Sequence, residues 1–350
     1  MGINIKAITD NITAVKPAAA GKPCNIRSGS KGKQCGDIFT PAQPNIMDNA
    51  IDRFLDGNQN LASRICFHKI LNEQLPKIMT PENFINNGRE SKVYKISDNY
   101  VAKIRKEKNQ NNCMHIYNFA KVPDKKFSKL NIYCGEPLIK CGKVEILRNA
   151  TPAKDCMPCG VIWKNDYISN ESLEKYNKEY LPALSAVPQE SYDEFAQNLK
   201  ILNGITTTDP ILNEISYTPD IINPNNLIIS GNKFKLVDKM EKTVYSEPNS
   251  LFTMIGPMIL RYQPDYPAVY DPALSGLRTE IFRKALVAAE KTELPLDGSC
   301  KDQYDDWVLS DITHVDTIEV LKKIQSMRDK GSSVEERIKF INDTLQPDKK

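Results

Sequence analysis

Residues 217–240 read YTPDIINPNNLIISGNKFKLVDKM. Asp220 and Asn226 precede the apolar run Leu227-Ile228-Ile229, and Asp238 follows a second run carrying Phe234, Leu236 and Val237. Gly231-Asn232 between the runs is a tight-turn signal, so the stretch predicts a β-hairpin. Antiparallel pairing brings the two ends of a hairpin side by side. Asn226 and Asp238 then present an amide and a carboxylate oxygen to one point, as a hard divalent cation requires. Asp and Asn are also ordinary turn residues that bond their own backbone. A second group of residues has to decide between the two.

That group lies in residues 84–106, FINNGRESKVYKISDNYVAKIRK. Gly88 sits in a polar turn ahead of the alternating run Val93-Tyr94-Lys95-Ile96. A Ser-Asp-Asn turn leads into a third strand, Tyr100–Ile104, in which Lys103 stands between Ala102 and Ile104. A lysine among apolar strand neighbours needs an anionic partner. A strand lysine beneath a glycine turn can grip the phosphates of a nucleotide. The plain alternative is a solvated lysine on an edge strand. What separates the two is order along the chain: Gly88, Lys103, a gap, then Asp220, Asn226 and Asp238.

The elements that would position these groups are legible in outline. The chain has 350 residues, 40% hydrophobic and 8% aromatic, enough for one large or two modest domains. Its 47 basic and 44 acidic side chains leave a net charge of +3. That balance gives no footprint for nucleic acid, and no apolar stretch is long enough to span a membrane. Residues 1–44, rich in Gly, Ser, Lys and Pro, predict a disordered region. Apolar spacing predicts helices at 46–57 and at 63–75, together a helical extension over 45–80. From 81 to 170 the pattern is that of a small antiparallel sheet interrupted by a helix near 111–121. Beyond that come helices at 191–202, 276–291, 316–329 and 333–345, the last opened by Ser332 and Ser333 with Glu335 and Glu336 in its first turn. The nine cysteines include a single CxxC, Cys156 to Cys159. With Cys134 and Cys141 it could form a four-sulfur cluster, but thiols packed as small apolar residues fit better. His68, His115 and His314 have no ligand-like spacing and are read as structural.

The stretches SKVYKISDNYVAKI (91–104) and PDIINPNNLIISGNKFKLVD (219–238) resemble a divergent bacterial protein kinase, most of all the type III secreted effector kinases of the SteC kind from enteric bacteria. The resemblance implies an α+β, two-lobed protein-kinase-like fold over 81–350, with a β-rich N-lobe at 81–170 and a helical C-lobe at 171–350. It implies ATP and Mg2+ as cofactors. Lys103 and the backbone around Gly88 would meet the phosphates, Asn226 and Asp238 the metal, and Asp220 the acceptor hydroxyl. It further implies a secreted serine/threonine kinase acting on a host protein in the host cytoplasm, with a secretion chaperone as a candidate partner of the N-terminus. The chain departs from the family pattern in several places. One glycine replaces three, Asp238-Lys239-Met240 replaces Asp-Phe-Gly, and no arginine precedes Asp220. Five residues separate Asp220 from Asn226, where ordinary kinases have four. A register with Asn225 as the metal ligand would restore that spacing. No glutamate suited to pair with Lys103 occurs in the expected helix; Glu107 is too close and Asp124 too short. A pseudokinase scaffold, or a kinase-fold enzyme of other chemistry such as nucleotidyl transfer, is the alternative these departures leave open.

Overall fold

Along strands near the amino-terminal end of the fold, apolar and polar side chains alternate. Period-two geometry turns Tyr94, Ala102, Ile104, Ile139, Cys141, Val144 and Ile146 to one face. The computed structural model describes residues 46–88, 90–106, 119–151, 157–158, 163–164, 167–168, 174–209, 213–220, 226–243, 247–255, 272–297 and 306–346. The fold is mixed α+β. A five-stranded antiparallel sheet runs in the order β1-β2-β3-β5-β4. Its strands are β1 (Phe84–Asn87), β2 (Ser91–Lys95), β3 (Tyr100–Arg105), β4 (Ile139–Cys141) and β5 (Val144–Arg148).

The apolar face of this sheet is covered by helices α1 (Ile46–Asp56) and α2 (Leu61–Ile78). In α1, Met47, Ile51 and Phe54 are buried, the i, i+4, i+7 stripe of an amphipathic helix, whereas Ile46 at its start is exposed. Phe54 stacks on Phe67 of α2 with ring centroids 4.8 Å apart. The Asn60 side chain caps α2 by accepting from Ser63 N at 2.9 Å. Tyr100 Oη donates to Asp52 at 2.5 Å and fastens α1 to the start of β3. The predicted helical extension is thus part of the sheet's own core. The helix expected near 111–121 falls mostly outside the described residues, and Lys121 at its end instead bridges to Lys140. Residues 1–44, His115 and the CxxC cysteines also lie outside them, while Cys134 and Cys141 are buried free thiols.

The remainder of the chain builds a second hydrophobic core that shares no residue with the first. Helices α3 (Leu181–Ala186), α4 (Gln189–Asn203), α5 (Leu251–Ile255), α6 (Ser275–Thr292), α7 (Asp306–Thr313), α8 (Thr317–Asp329) and α9 (Val334–Thr344) surround it. Ile281, Phe282, Ala285, Leu286, Ala288 and Ala289 bury α6 on nearly every side, which makes it the central rod. Ser333 and Glu336 form the reciprocal capping box that opens α9. Strands occur here as well: β6 (Met157–Pro158), the short pair β7 (Trp163–Lys164) and β8 (Tyr167–Ile168), β9 (Thr207–Asp209), β10 (Asn213–Pro219), β11 (Leu227–Ser230), β12 (Lys233–Leu236) and β13 (Met240–Thr243). They form the ladders β13-β10-β9 and β12-β11-β6, so this half is less purely helical than its periodicity suggests. No helix among the described residues is long and apolar enough to cross a membrane.

If α1 belongs to the sheet's core, Phe54→Ala should lower stability by about 3–5 kcal/mol, read from urea unfolding. A loss below about 1 kcal/mol, the scale of surface changes, would mean that the helix is an appendage.

Candidate active site

The hairpin closes through Gly231 and Asn232 with φ of 54° and 61°, both left-handed, the two-residue turn that matches strand twist. Leu227 pairs with Leu236 and Ile229 with Phe234. Helix α4 grips the turn end. Ser191 Oγ donates to Asn232 O at 2.7 Å, and fully buried Phe234 lies against Tyr192 and Phe195 at 5.1 Å and 5.5 Å. At the open end Val237 N donates to Asn226 O at 3.0 Å, one step beyond the last strand pair. Asn226 and Asp238 therefore leave the hairpin at the same end, as the sequence predicts.

Two contacts bring the predicted residues together. Lys103 Nζ donates to Asp238 Oδ1 at 3.1 Å, across 135 positions of sequence. Asn226 Nδ2 donates to Asp220 O at 2.7 Å and to Asp220 Oδ2 at 3.0 Å. Because both partners are acceptors, the amide's NH2 must face Asp220, which turns Oδ1 the other way. Asn226 is buried, and Asn225, its competitor in register, lies outside the described residues. Asp220 follows β10 directly. Pairing of Pro219 with Met240 and Thr218 with Glu241 brings it beside the chain leaving Asp238. The strand itself is anchored by Asn249 Nδ2, which donates to Tyr217 O at 2.9 Å, and by Lys126 Nζ, which donates to Tyr217 Oη at 2.6 Å. Burial raises the Tyr217 phenol, but the hydrogen bonds with Lys126 and Thr207, together with the charges of Lys126 and Lys242, outweigh it and the net shift is downward.

Gly88 directly follows β1 and its carbonyl accepts from Lys106 Nζ at 2.5 Å. Its φ lies outside the left-handed region, and an added Cβ would stand 3.4 Å from the nearest atom. Nothing among the described residues demands glycine there. The backbone does demand it at Gly135, which the sequence did not single out. A Cβ at Gly135 would lie 2.2 Å from Asp238 O and 2.5 Å from Tyr133 Cε2. The segment leading to Gly135 runs beside β12, with Cys134 N donating to Leu236 O at 2.7 Å and Leu236 N to Ile132 O at 2.9 Å. A lone Gly between Cys134 and Glu136 gives no turn signal, so only the close approach reveals its role.

Three further features escaped sequence reading. Val93, Val101 and Leu147 share the Lys103 face of the sheet, opposite the helices, and Val101 pairs directly with Leu147. They place apolar side chains next to the lysine, Val101 and Leu147 being buried. Glu145 pairs with Lys103 across β3 and β5 and is only 3% exposed. Glu241 is the third carboxylate at the Asp220–Asp238 corner, and desolvation, then the charges of those two aspartates, raise its carboxyl above the usual range.

Comparisons with protein-family models, curated proteins and solved structures find no match. The chemistry has to be read from the donor set. Among the described residues no group of three or more His, Cys, Asp or Glu side chains is placed to hold a metal ion unaided. Mg2+ seldom needs such a cage, because it binds through one or two carboxylates plus substrate phosphates and water. The Asp238 carboxylate and the Asn226 amide oxygen, beside a lysine able to meet phosphate, fit that need.

Gly135→Ala tests whether the approach to Asp238 is as tight as it stands. The clash is with backbone, so Asp238 must shift, and a loss of about 1–3 kcal/mol is expected, read by thermal unfolding. An unchanged melting point would mean that the segment yields freely.

Proposed function

We propose that this chain is an ATP-dependent protein kinase that transfers the γ-phosphate to a serine or threonine hydroxyl of a host-cell protein. One contact carries the proposal: the 3.1 Å pair between Lys103 on β3 and Asp238 at the end of the hairpin. Strand lysine and hairpin aspartate stand on elements of two separate cores, and their contact supports a nucleotide cleft between a sheet and a helical body. The apolar side chains of Val93, Val101 and Leu147 beside the lysine suit a nucleotide base. Asp220 and Asn226, bonded to each other at the open end of the hairpin, supply the remaining parts of a phosphoryl-transfer site. The resemblance of 91–104 and 219–238 to secreted effector kinases, with the small polar residues of 1–44, supports export from a bacterium by a type III system.

Lys103 meets the α- and β-phosphates, and backbone amides near Gly88 cover them. Asn226 and Asp238 would hold Mg2+, which when bound offsets the charge developing on the transferred group. Asp220 accepts the proton of the acceptor hydroxyl and orients it for in-line attack. The Asn226 amide, donating to both its backbone carbonyl and its carboxylate, holds it in place for that task. Phosphoryl transfer asks mainly for positioning and fixed charge, and these few groups supply both.

Incubation of the full chain with labelled ATP and Mg2+ tests the proposal directly. Wild type should transfer phosphate to itself or to a host extract. Lys103→Ala and Asp238→Ala should abolish that transfer and keep the unfolding profile. Asp220→Asn should slow it about a hundredfold or more, with nucleotide affinity nearly unchanged. Nucleotide binding without transfer in wild type would mark a pseudokinase scaffold. A nucleotide rather than a phosphate added to the intact mass would mark nucleotidyl transfer. Full activity of Lys103→Ala would remove the nucleotide site altogether.

A further inference from the structure

A straight row of side chains crosses the cleft face of the sheet. Val93 pairs with Lys103, Lys103 with Glu145, and Glu145 with Lys140, one residue from each of β2, β3, β5 and β4. Directly opposed residues on antiparallel strands share a face with Cβ atoms about 5 Å apart. Glu145 is buried to 3% exposure on a strand whose residues Val144, Ile146 and Leu147 are also buried. Its Oε1 takes a hydrogen bond from Arg105 Nη2 at 2.8 Å and lies 3.7 Å from Lys140 Nζ. Arg105 keeps a half-exposed side chain, so its own charge is solvated without Glu145. Burying a carboxylate in mid-sheet is costly, and apolar residues would fill that position at less cost.

We infer that Glu145 is the positioning residue for Lys103, serving from the neighbouring strand the part that a helix-borne glutamate would serve. The inference rests on the nucleotide site proposed above. The ammonium of Lys103 now bonds Asp238, yet Asp238 is the carboxylate proposed for the metal. Were Asp238 to hold the metal, Lys103 would be left on a flexible four-carbon stem and would need a second fixed anion to aim it at phosphate. Glu145 is that anion, held in place by its bond from Arg105 and by the strand register.

The test is a double-mutant cycle on the full chain, with Mg-ADP affinity by calorimetry and ATP turnover as readouts. Glu145→Gln should weaken Mg-ADP about tenfold and lower kcat/KM for ATP at least as much, and Glu145→Asp should recover part of both. In a Lys103→Ala background the same Glu145→Gln change should alter affinity less than twofold, because the effect runs through the lysine. A carboxylate that merely balanced charge would do the opposite, since its loss leaves the face more positive and should tighten nucleotide binding. Unchanged or tighter binding by Glu145→Gln, or an equal loss in the Lys103→Ala background, overturns the inference and leaves the nucleotide site standing. Absence of Mg-ADP binding by wild type overturns both.

Discussion

Everything proposed for this site depends on Lys103 and Asp238 meeting, and their attraction is too weak to bring them together. The pair is partly exposed, 20% for the lysine side chain and 43% for the aspartate. An ion pair so placed contributes at most about 1 kcal/mol. Packing has to position it. The chain passes from the helical core at Leu130, Ile132 and Tyr133 into the sheet core at Ile139 within a few residues. Over that short passage it lies along β12 and presses Gly135 onto the backbone of Asp238. One segment thus presses on the aspartate and leads through β4 into β5, which flanks the lysine's strand, so the two are positioned together.

The helical body serves the same end from the other side. Helix α4 holds the hairpin turn through Ser191 and Phe234, and the entering segment through Asn198, whose Nδ2 donates to Asn131 at 2.7 Å. It is backed by α6, which carries the fully buried Glu290. That carboxylate receives Arg328 Nε at 2.9 Å and Arg337 Nε at 2.5 Å, joining α6 to α8 and α9. A buried anion with two bonded arginines is costly to break once formed, although apolar packing could match its stability. It fixes which helices pack together, and through α6 and α4 it steadies the hairpin.

How much of this was legible in the sequence follows from the range of each interaction. The hairpin, Lys103 on its strand and the caps of α9 are set by residues within a few positions of one another, and turn chemistry and periodicity report them. Gly135, Glu145 and Glu241 owe their places to strands far away in sequence. Nothing in Cys134-Gly135-Glu136 hints at a backbone 103 positions downstream, and Glu145 reads as the polar member of an alternating strand. The strand pairing that sets Glu145 opposite Lys103 spans 42 positions, too far for local pattern to report.

The spacing between Asp220 and Asn226 shows where the constraint on this site lies. Six positions separate them, one more than ordinary kinases have, and that departure is the strongest formal objection to the site. Yet closing a loop of six residues instead of five adds only about 0.2 kcal/mol of chain entropy. The geometry is held at the ends. Asp220 is delivered by β10, which pairs with β9 and β13 and is anchored at Tyr217 by Asn249. Asn226 is delivered by β11, which pairs with β12 and β6. The Asn226 amide then closes the span on both the carbonyl and the carboxylate of Asp220. With both ends fixed by ladders, carboxylate and amide are brought into contact without help from the span between them. Conformity of spacing is therefore a poor measure of whether such a site is intact, and the contact between its ends is a better one.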